Sequence, residues 1–247
     1  MKAAVIVPIL YAEPRLRETL AGVARQRRAA DLDVVVIVDV PDPSREAEAR
    51  AANEPIAREA GADIVYRVGE RGFGSALRAG FARASGEAVI PVMGDACDDP
   101  ADIPRLVAML EEGWDVVAAS RYMSGGRIVG NTLKQWLSRL YGLLVRAVGG
   151  PPIHDVSNAF KAYRRTVLER VDTVADSYDI SVELTVKAYR EGFAITEIPT
   201  TWTNRQVGES HWRFSHQLRR YGRWLRLAAA ASRATRPVGS ATTGDPR

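Results

Sequence analysis

Three aspartates lie within five residues directly after a short apolar run. Asp95, Asp98 and Asp99 follow residues 88–93, whose apolar side chains predict a buried strand. Mg²⁺ and Mn²⁺ prefer carboxylate oxygens, and in proteins they often combine one or two carboxylates with substrate phosphates. Asp98 or Asp99 could instead cap a helix that begins near residue 101, an explanation that suits Asp95 less well. The cluster therefore predicts a Mg²⁺ or Mn²⁺ site at Asp95 that neutralises a diphosphate.

Two further carboxylates follow predicted strands. Asp39 ends the apolar run 34–38, and Glu13 comes after the run 3–10. A carboxylate at a strand end can accept hydrogen bonds from a base or a ribose, as in other nucleotide-binding folds. Glu13 could also cap the helix that follows it, and Ser44 is expected to cap the next one. The pattern favours a nucleoside site that includes Asp39.

An arginine and a glycine-rich segment add candidate phosphate contacts. Arg121 follows the strand predicted at 115–119, where a guanidinium can clamp a phosphate, although a surface arginine is the simpler interpretation. Gly72 lies in the segment 69–74, which opens a helix and could let a phosphate approach the backbone. A structural role suits these glycines equally well. The segment is not a P-loop, because no Gly-Lys-Ser/Thr follows.

Strand and helix patterns alternate over the first 120 residues, which positions these side chains. The alternation predicts a doubly wound, mostly parallel α/β sheet flanked by helices. Ligands bind such sheets at the carboxyl ends of the strands, so Asp39 and Asp95 should face one crevice. The five predicted strands span residues 3–10, 34–38, 64–67, 88–93 and 115–119.

The second half of the chain is less regular. Residues 133–148 have the spacing of an amphipathic helix, and a strand is predicted at 194–198. We expect a domain over 1–213, a basic amphipathic helix over 214–235 and a disordered tail over 236–247. The arginines and tryptophans of that helix suit an anionic membrane surface. Packing against the domain or a dimer partner is the alternative.

Composition sets the remaining limits. The 247 residues carry a formal net charge of +4, which is too mild to indicate a nucleic-acid partner but suits an anionic substrate or membrane. The single cysteine, Cys97, excludes an intrachain disulfide and fits a cytoplasmic location. The first apolar run reads as a strand rather than a signal peptide, and no run is long enough to cross a bilayer. We expect a cytoplasmic protein that could act at the inner face of the membrane.

Taken in order, these segments resemble the family 2 glycosyltransferases, and among them the dolichyl/polyprenyl-phosphate mannose synthase-like branch. Residues 154–165 are similar to that branch's Asp-x-Thr-Ser-Gly-Phe-Arg-x-Tyr-Arg-Arg, and residues 203–210 to its Arg-x-x-Gly-Glu-Ser-Lys. The resemblance covers residues 3 to about 213. It implies a GT-A type, Rossmann-like fold and an inverting transferase. The donor would be a nucleotide sugar, GDP-mannose-like or a UDP-sugar, and the acceptor a polyprenyl phosphate.

Other functions remain open at this point. A soluble small-molecule acceptor would suit the same donor site. A non-catalytic relative that only binds nucleotide sugars is a second alternative. A nucleotidyltransferase would require a glycine-rich basic signature after the first strand, where this chain has Tyr11-Ala12-Glu13-Pro14.

The resemblance also implies roles for individual residues. Asp95 would be the metal-binding Asp of the family's Asp-x-Asp, and Arg121 would bind phosphate. Lys134 and Ser138 fall where the branch has a phosphate-binding Arg and Ser. Arg205 matches the Arg that contacts the diphosphate, in a loop expected to close over the donor. The nucleoside pocket would be lined by Pro8, Tyr11, Glu13 and Asp39.

Two departures from the family pattern stand out. Met93 occupies the position of the first Asp of Asp-x-Asp, so one metal ligand is missing. Asp39 is followed by Val and Pro instead of Asp-Gly-Ser, which suggests a side branch with a different sugar or acceptor. A phosphate acceptor would need no strong base, whereas a hydroxyl acceptor would, with Asp98 or Asp99 the nearest candidate.

Overall fold

The computed structural model of the chain describes residues 1–130, 133–204 and 214–231, without the side chains of Lys134, 214–219 and Ala231. Arg205 and the tail predicted over 236–247 lie outside these residues. No helix in the described ranges is both long and apolar enough to span a bilayer.

The core of the fold is a seven-stranded sheet in the order β3-β2-β1-β4-β7-β5-β8. Every described pairing is parallel except those of β7, which runs antiparallel to both β4 and β5. A separate two-stranded parallel sheet pairs β6 with β9. The strands are β1 (Ala3–Leu10), β2 (Leu32–Val40), β3 (Asp63–Val68), β4 (Ala88–Pro91), β5 (Val116–Ser120), β6 (Arg127–Val129), β7 (Lys161–Arg164), β8 (Ile195–Pro199) and β9 (Thr201–Thr203).

Helices cover both faces of the sheet. Alternate residues of β1 point to opposite faces, so Val5 and Val7 join one apolar cluster while Ala4 and Ile6 join the other. Burial on both faces explains why β1 reads as a continuous apolar run. The helices are α1 (Leu16–Gln26), α2 (Glu46–Glu59), α3 (Phe73–Arg83), α4 (Ile103–Glu111), α5 (Leu133–Ala147), α6 (Arg165–Arg170), α7 (Ile180–Arg190) and α8 (Phe214–Ala231).

The prediction of a mostly parallel sheet flanked by helices is confirmed. Each of the five strands predicted in the first half overlaps an observed strand. The sequence patterns did not reveal β7, which inserts between β4 and β5 from a distant part of the chain.

Helix α8 packs against the domain along one side. Trp224 is buried, and its indole Nε1 donates a hydrogen bond to Asp179 Oδ2 at 2.9 Å. The arginines Arg220, Arg223 and Arg226 are exposed. Of the alternatives for this helix, packing on the domain is therefore observed, with a basic face turned to solvent.

Candidate active site

A cleft of about 310 Å³ opens at the carboxyl ends of β1, β2 and β4. The structure brings Asp39 and Asp95 to this one cleft, where parallel sheets bind their ligands. Of the other residues predicted for the site, Pro8, Glu13 and Gly72 also line it. Residues from distant segments complete the wall, namely Arg71, Phe73, Asp176, Ser177 and Tyr178.

Asp39 joins β2 to the segment before α3. Its Oδ2 accepts a hydrogen bond from the Gly72 backbone N–H at 2.8 Å. Its Oδ1 lies 2.9 Å from Arg67 Nη1, close but not aligned as a hydrogen bond, so this contact is an ion pair. Burial raises the pKa of Asp39, while the Gly72 hydrogen bond and Arg67 act in the opposite direction. Asp39 therefore links the end of β2 to Arg67 of β3 and to Gly72 before α3.

Tyr11 takes a different place from the one expected. It does not line the cleft, although its neighbours Ala12 and Glu13 do. Its hydroxyl accepts a hydrogen bond from the Asp42 backbone N–H at 3.1 Å, and the Arg45 guanidinium lies 4.2 Å from its ring centroid. These contacts hold the ring against the segment after β2, so the structure does not bring Tyr11 to the cleft lining with Pro8, Glu13 and Asp39, and its role in a nucleoside pocket stays a prediction.

The glycine-rich segment is explained by close packing between chain segments. A Cβ on Gly74 would lie 2.1 Å from the carbonyl oxygen of Ala175, and Gly72 has a φ of +150°. The amide of Gly72 is already bonded to Asp39. These contacts favour the structural interpretation of the glycines over a phosphate cradle.

The same packing supplies an aromatic wall for the cleft. The rings of Phe73 and Tyr178 stack with their centroids 4.7 Å apart and their planes at 24°. Arg78 Nη1 donates to the Ala175 carbonyl at 2.6 Å, which ties α3 to the segment that carries Tyr178. Sequence reasoning missed this wall, because about one hundred residues separate its two halves.

Asp95 is presented by a tight loop after β4. Its Oδ1 accepts a hydrogen bond from the Cys97 N–H at 3.2 Å. Thr19 of α1 supports the loop from below: its hydroxyl donates to Gly94 O at 2.9 Å and accepts from the Ala96 N–H at 3.0 Å. Ala96 has a φ of +55°, a conformation that residues other than glycine rarely adopt. The loop that places Asp95 at the cleft therefore contains backbone strain at Ala96.

The donor set at this loop fits a hard cation with one protein carboxylate. Met93 lines the cleft beside Asp95, and its thioether is a poor ligand for Mg²⁺. Among the described residues, no group of three His, Cys, Asp or Glu side chains converges as a metal site. Asp95 alone suffices for Mg²⁺ or Mn²⁺ that takes its other oxygens from phosphates and water.

The two neighbouring aspartates serve the loop itself. Asp99 caps the turn before α4, accepting the Ala101 N–H at 3.0 Å. Asp98 is buried, and its Oδ2 accepts the Met93 N–H at 2.9 Å. Burial, helped by the charge of Asp95, raises the pKa of Asp98 to about 7. Neither lines the cleft, so neither is placed to serve as a base there.

Arg121 lies in a buried network behind the Asp95 loop. Its Nε and Nη2 donate to the two carboxylate oxygens of Asp155 at 2.6 and 3.0 Å. The same Nη2 lies 3.3 Å from the Ser138 hydroxyl and 3.2 Å from that of Ser157. Burial alone would lower the pKa of Arg121, but Asp155 outweighs it and the net shift is upward. The guanidinium therefore stays charged.

The structure brings Arg121 and Ser138 together as the resemblance implied. The hydroxyls of Ser138 and Ser157 are 2.6 Å apart, so two hydroxyls and a guanidinium converge. Lys134 lies one turn before Ser138 on α5, with its side chain outside the described atoms. Lys161 supports the cluster: it is fully buried and donates to the carbonyls of Val156 and Asn158.

The last described residues before Arg205 are fixed near the Asp95 loop. The Thr203 N–H of β9 donates to Cys97 O at 2.9 Å, and the Asn204 N–H donates to Val129 O at 2.8 Å. Trp202 lies 5.7 Å from the Arg121 guanidinium. The chain thus leaves the described residues between the Asp95 loop and the Arg121 cluster.

Comparison with known proteins agrees with this arrangement. Polyprenol monophosphomannose synthase of Mycolicibacterium smegmatis is 33% identical over 159 residues, covering 60% of this chain and 58% of that protein. Dolichol-phosphate mannosyltransferase of Pyrococcus furiosus is 27% identical over 215 residues, covering 85% of this chain and 59% of its own length. The chain thus spans about three-fifths of these curated relatives.

A solved structure shares the fold. Glucosyl-3-phosphoglycerate synthase from Mycobacterium tuberculosis, in complex with Mn²⁺, UDP-glucose and phosphoglyceric acid, aligns with a TM-score of 0.65 at 17% identity. The alignment covers 95% of this chain and 81% of that one. The family model described as Glycosyl transferase family 2 matches residues 4–172. With more than half of its length matched by that model, the chain belongs to glycosyl transferase family 2.

Proposed function

We propose that the chain is an inverting glycosyltransferase that moves a sugar from a nucleotide-sugar donor to a polyprenyl phosphate. The observation that carries the proposal is the cleft lined by Asp39 and Asp95 at the carboxyl ends of the strands. The guanidinium and hydroxyls around Arg121 lie near the same loop, because Asp95 and Arg121 act in opposite directions on the pKa of the buried Asp98. The curated relatives, named as transferases of mannose to polyprenol or dolichol phosphate, support this class of acceptor.

The donor binds in the cleft, with its nucleoside at the Asp39 end and its diphosphate toward Asp95. Pro8, Glu13 and Gly72 line the nucleoside end, and the Phe73–Tyr178 stack forms a wall. A volume of about 310 Å³ lies at the lower end of the range for small-molecule sites. A loop that closes over the donor would enlarge the enclosed space, and Arg205 is the residue we assign to that loop.

Asp95 would hold Mg²⁺ or Mn²⁺ together with the donor diphosphate. When bound, the cation neutralises the charge that develops on the leaving nucleoside diphosphate. Arg205 adds a second positive charge to the same group. With Met93 in place of a second carboxylate, the protein would contribute one anionic ligand, and oxygens of the diphosphate and of water would supply the rest.

We assign the acceptor phosphate to Arg121, Ser138 and Ser157, with Lys134 of α5 as a further cation for it. A phosphate oxygen is already anionic, so it attacks C1 of the sugar without a base, and attack from the opposite side inverts the anomeric centre. Asp98 and Asp99, the candidates for activating a hydroxyl, are occupied within their own loop. This supports a phosphate acceptor over a hydroxyl acceptor.

A polyprenyl acceptor places the enzyme at the inner face of the cytoplasmic membrane. The exposed arginines of α8 support a peripheral contact with anionic lipid. A homodimer through the same helix is the competing use of that surface, and its test is the oligomeric state.

Thermal stability and product formation test the proposal together. The purified chain is melted with GDP-, UDP- and dTDP-sugars, with and without Mn²⁺. A donor at a hundred times its dissociation constant adds about 2.7 kcal/mol of stability. The donor that shifts the melting temperature is then incubated with a short-chain polyprenyl phosphate in detergent. A metal-dependent shift with labelled lipid product supports the proposal. A donor shift without product points to a binding protein, and product with only a soluble acceptor redirects the acceptor assignment.

A further inference from the structure

Helix α5 turns a row of large apolar side chains toward solvent. Leu133 is 73% exposed, Trp136 62%, Leu143 47%, Leu144 44% and Leu140 40%. Their spacing of three and four residues places them on one side of the helix, and we name this row the α5 stripe. Contiguous exposed apolar surface of this kind marks an interaction site in a folded protein.

The stripe is exposed because the opposite side of α5 is the one packed on the domain. Gly142 and Val145 are buried there, and a Cβ on Gly142 would lie 2.5 Å from the His154 carbonyl oxygen. Ser138 lies on this inward side, within reach of Arg121. Close packing and the Arg121 cluster therefore fix the orientation of the helix, with the α5 stripe on the side that faces away from the core.

The segment of sequence that contains α5 carries only positive charges. From residue 116 to residue 154 the sequence has no Asp or Glu, and its five cations are Arg121, Arg127, Lys134, Arg139 and Arg146. Arg139 and Arg146 are exposed on α5, beside the stripe. A partner for this face must be apolar where it meets the stripe and negative around it.

Helix α8 extends the same positive surface. The ring of Tyr141 on α5 meets that of Tyr221 on α8 edge to face, 4.8 Å between centroids, and its hydroxyl donates to Tyr221 O at 3.0 Å. Arg220, Arg223 and Arg226 are exposed along α8. The two helices thus form one surface that combines apolar side chains, a tryptophan and several arginines.

We propose that this surface docks on an anionic bilayer, with the α5 stripe inserted among the outer acyl segments and the arginines against the headgroups. Leucine and tryptophan on one side of a helix, flanked by basic residues, have the composition of interfacial membrane helices. A protein groove could accept the stripe, but the positive charge spread over two helices matches an extended negative surface better.

Docking in this way connects the surface with the acceptor site, a step that rests on the proposed function. Ser138 is on the inward side of the helix whose outward side enters the bilayer. A lipid phosphate at headgroup depth therefore lies on the same level as the hydroxyls of Ser138 and Ser157. The acceptor reaches Arg121 without leaving the membrane.

Vesicle binding of the full chain tests the proposal. We compare phosphatidylcholine vesicles with vesicles that also contain phosphatidylglycerol, measuring the bound fraction by co-sedimentation. The test variants are W136Q/L140Q and L143Q/L144Q. The control is V174Q, because Val174 is 54% exposed and lies outside α5. We expect binding to the anionic vesicles only, weakened by salt, with a loss of at least about tenfold in both test variants and none in the control.

Other outcomes would contradict membrane docking by this surface. Unchanged binding by both test variants, or no binding by the wild-type chain, would overturn the proposal. A wild-type dimer that the variants convert to monomers, seen by light scattering without vesicle binding, would assign the stripe to a second copy of the chain. Equal melting temperatures for wild type and variants establish that the variants are folded.

Activity separates this proposal from the proposed function. In detergent with a short-chain polyprenyl phosphate, wild type and W136Q/L140Q should transfer sugar at the same rate. On anionic vesicles the variant should lose at least about tenfold. If the wild type transfers no sugar in detergent, the proposed function is contradicted. Vesicle binding alone then decides whether the surface docks on a membrane.

Discussion

The guanidinium of Arg121 and the carboxylate of Asp155 form a buried two-point ion pair, with Nε–Oδ2 at 2.6 Å and Nη2–Oδ1 at 3.0 Å. The Arg121 backbone N–H also donates to Asp155 Oδ2 at 3.1 Å. The carboxylate thus fixes the arginine through its main chain and its side chain. A guanidinium held in this way would need no further ordering to meet the acceptor phosphate that we propose.

Removing the carboxylate of this pair should be costly. Asp155→Asn leaves the buried guanidinium uncompensated, and we expect a loss of about 3–5 kcal/mol in unfolding free energy. Urea denaturation measures it. The control is Glu59→Gln, which breaks the exposed Arg17–Glu59 pair and should cost less than about 1 kcal/mol. Similar small losses for both variants would mean that the Arg121–Asp155 pair is not effectively buried.

Asp95 should account for the metal dependence. Asp95→Asn removes the one carboxylate that we assign to the cation, so the Mn²⁺-dependent part of the donor-induced thermal shift should disappear. Transfer should fall by at least about a hundredfold. The control Asp99→Ala loses a helix cap worth about 1 kcal/mol and should keep its metal-dependent shift. A metal-dependent shift that survives in Asp95→Asn would contradict the assignment.

Met93→Asp should strengthen cation binding. Met93 lines the cleft beside Asp95, so an aspartate there supplies the second carboxylate that the family pattern has. Because cation affinity rises with the number of charged ligands, we expect Mn²⁺ to bind at least about tenfold more tightly. Electron paramagnetic resonance of free Mn²⁺ measures this, with Met93→Leu as the control. Equal affinity in both variants would show that residue 93 points away from the cation.

The buried Asp98 should make stability depend on pH in a defined window. Burial raises its pKa to about 7 in the folded chain, above the ordinary aspartate value of about 3.9, so between these values the folded state holds a proton that the unfolded chain has lost. The stabilisation of the folded state by this proton is complete below about pH 4 and is lost as the pH rises through 7. Asp98→Asn should remove this slope, so its stability relative to wild type should improve from pH 5 to pH 8. Parallel stability curves for the two proteins would refute the shift.

Two glycines should respond in opposite directions to alanine. A Cβ on Gly74 would collide with the Ala175 carbonyl, so Gly74→Ala should cost at least about 1–3 kcal/mol and weaken donor binding by displacing the Phe73–Tyr178 wall. Gly222 lies in α8, and among the described atoms outside its own helical turn none lies within 4 Å of an added Cβ, so Gly222→Ala should stabilise the chain by up to about 1 kcal/mol. Thermal melts with and without donor measure both effects. A neutral Gly74→Ala would show that the segment at 175–176 is free to move.

Much of the sheet could be predicted because its strands are buried on both faces. Residues 3–10 and 34–38 are unbroken apolar runs, and such runs identify parallel strands without further information. Once the strands were placed, the meeting of Asp39 and Asp95 followed from sheet geometry alone. The family resemblance gave Arg121 and Ser138 each a phosphate-binding role, but their contact was not predicted, since no local pattern joins these positions.

The remaining features depend on contacts between distant segments. β7 spans only Lys161–Arg164, and the basic residue at each of its ends leaves no apolar run. The buried Lys161 ammonium donates to two carbonyls that only the fold brings near. The Phe73–Tyr178 wall exists because Gly74 permits close approach to the Ala175 carbonyl. For α5, periodicity identified an apolar side but could not say whether that side faces the core or solvent.

Tyr178 and Asp179 are consecutive residues that face different partners. Tyr178 belongs to the wall of the cleft, and Asp179 accepts the indole hydrogen bond that fastens Trp224 of α8. One short stretch of backbone therefore carries both a wall of the proposed donor site and the attachment of the basic helix. If a donor in the cleft changes the affinity of α8 for a membrane surface, thermodynamic linkage requires the reverse effect. The membrane must then change the affinity of the chain for the donor by the same factor.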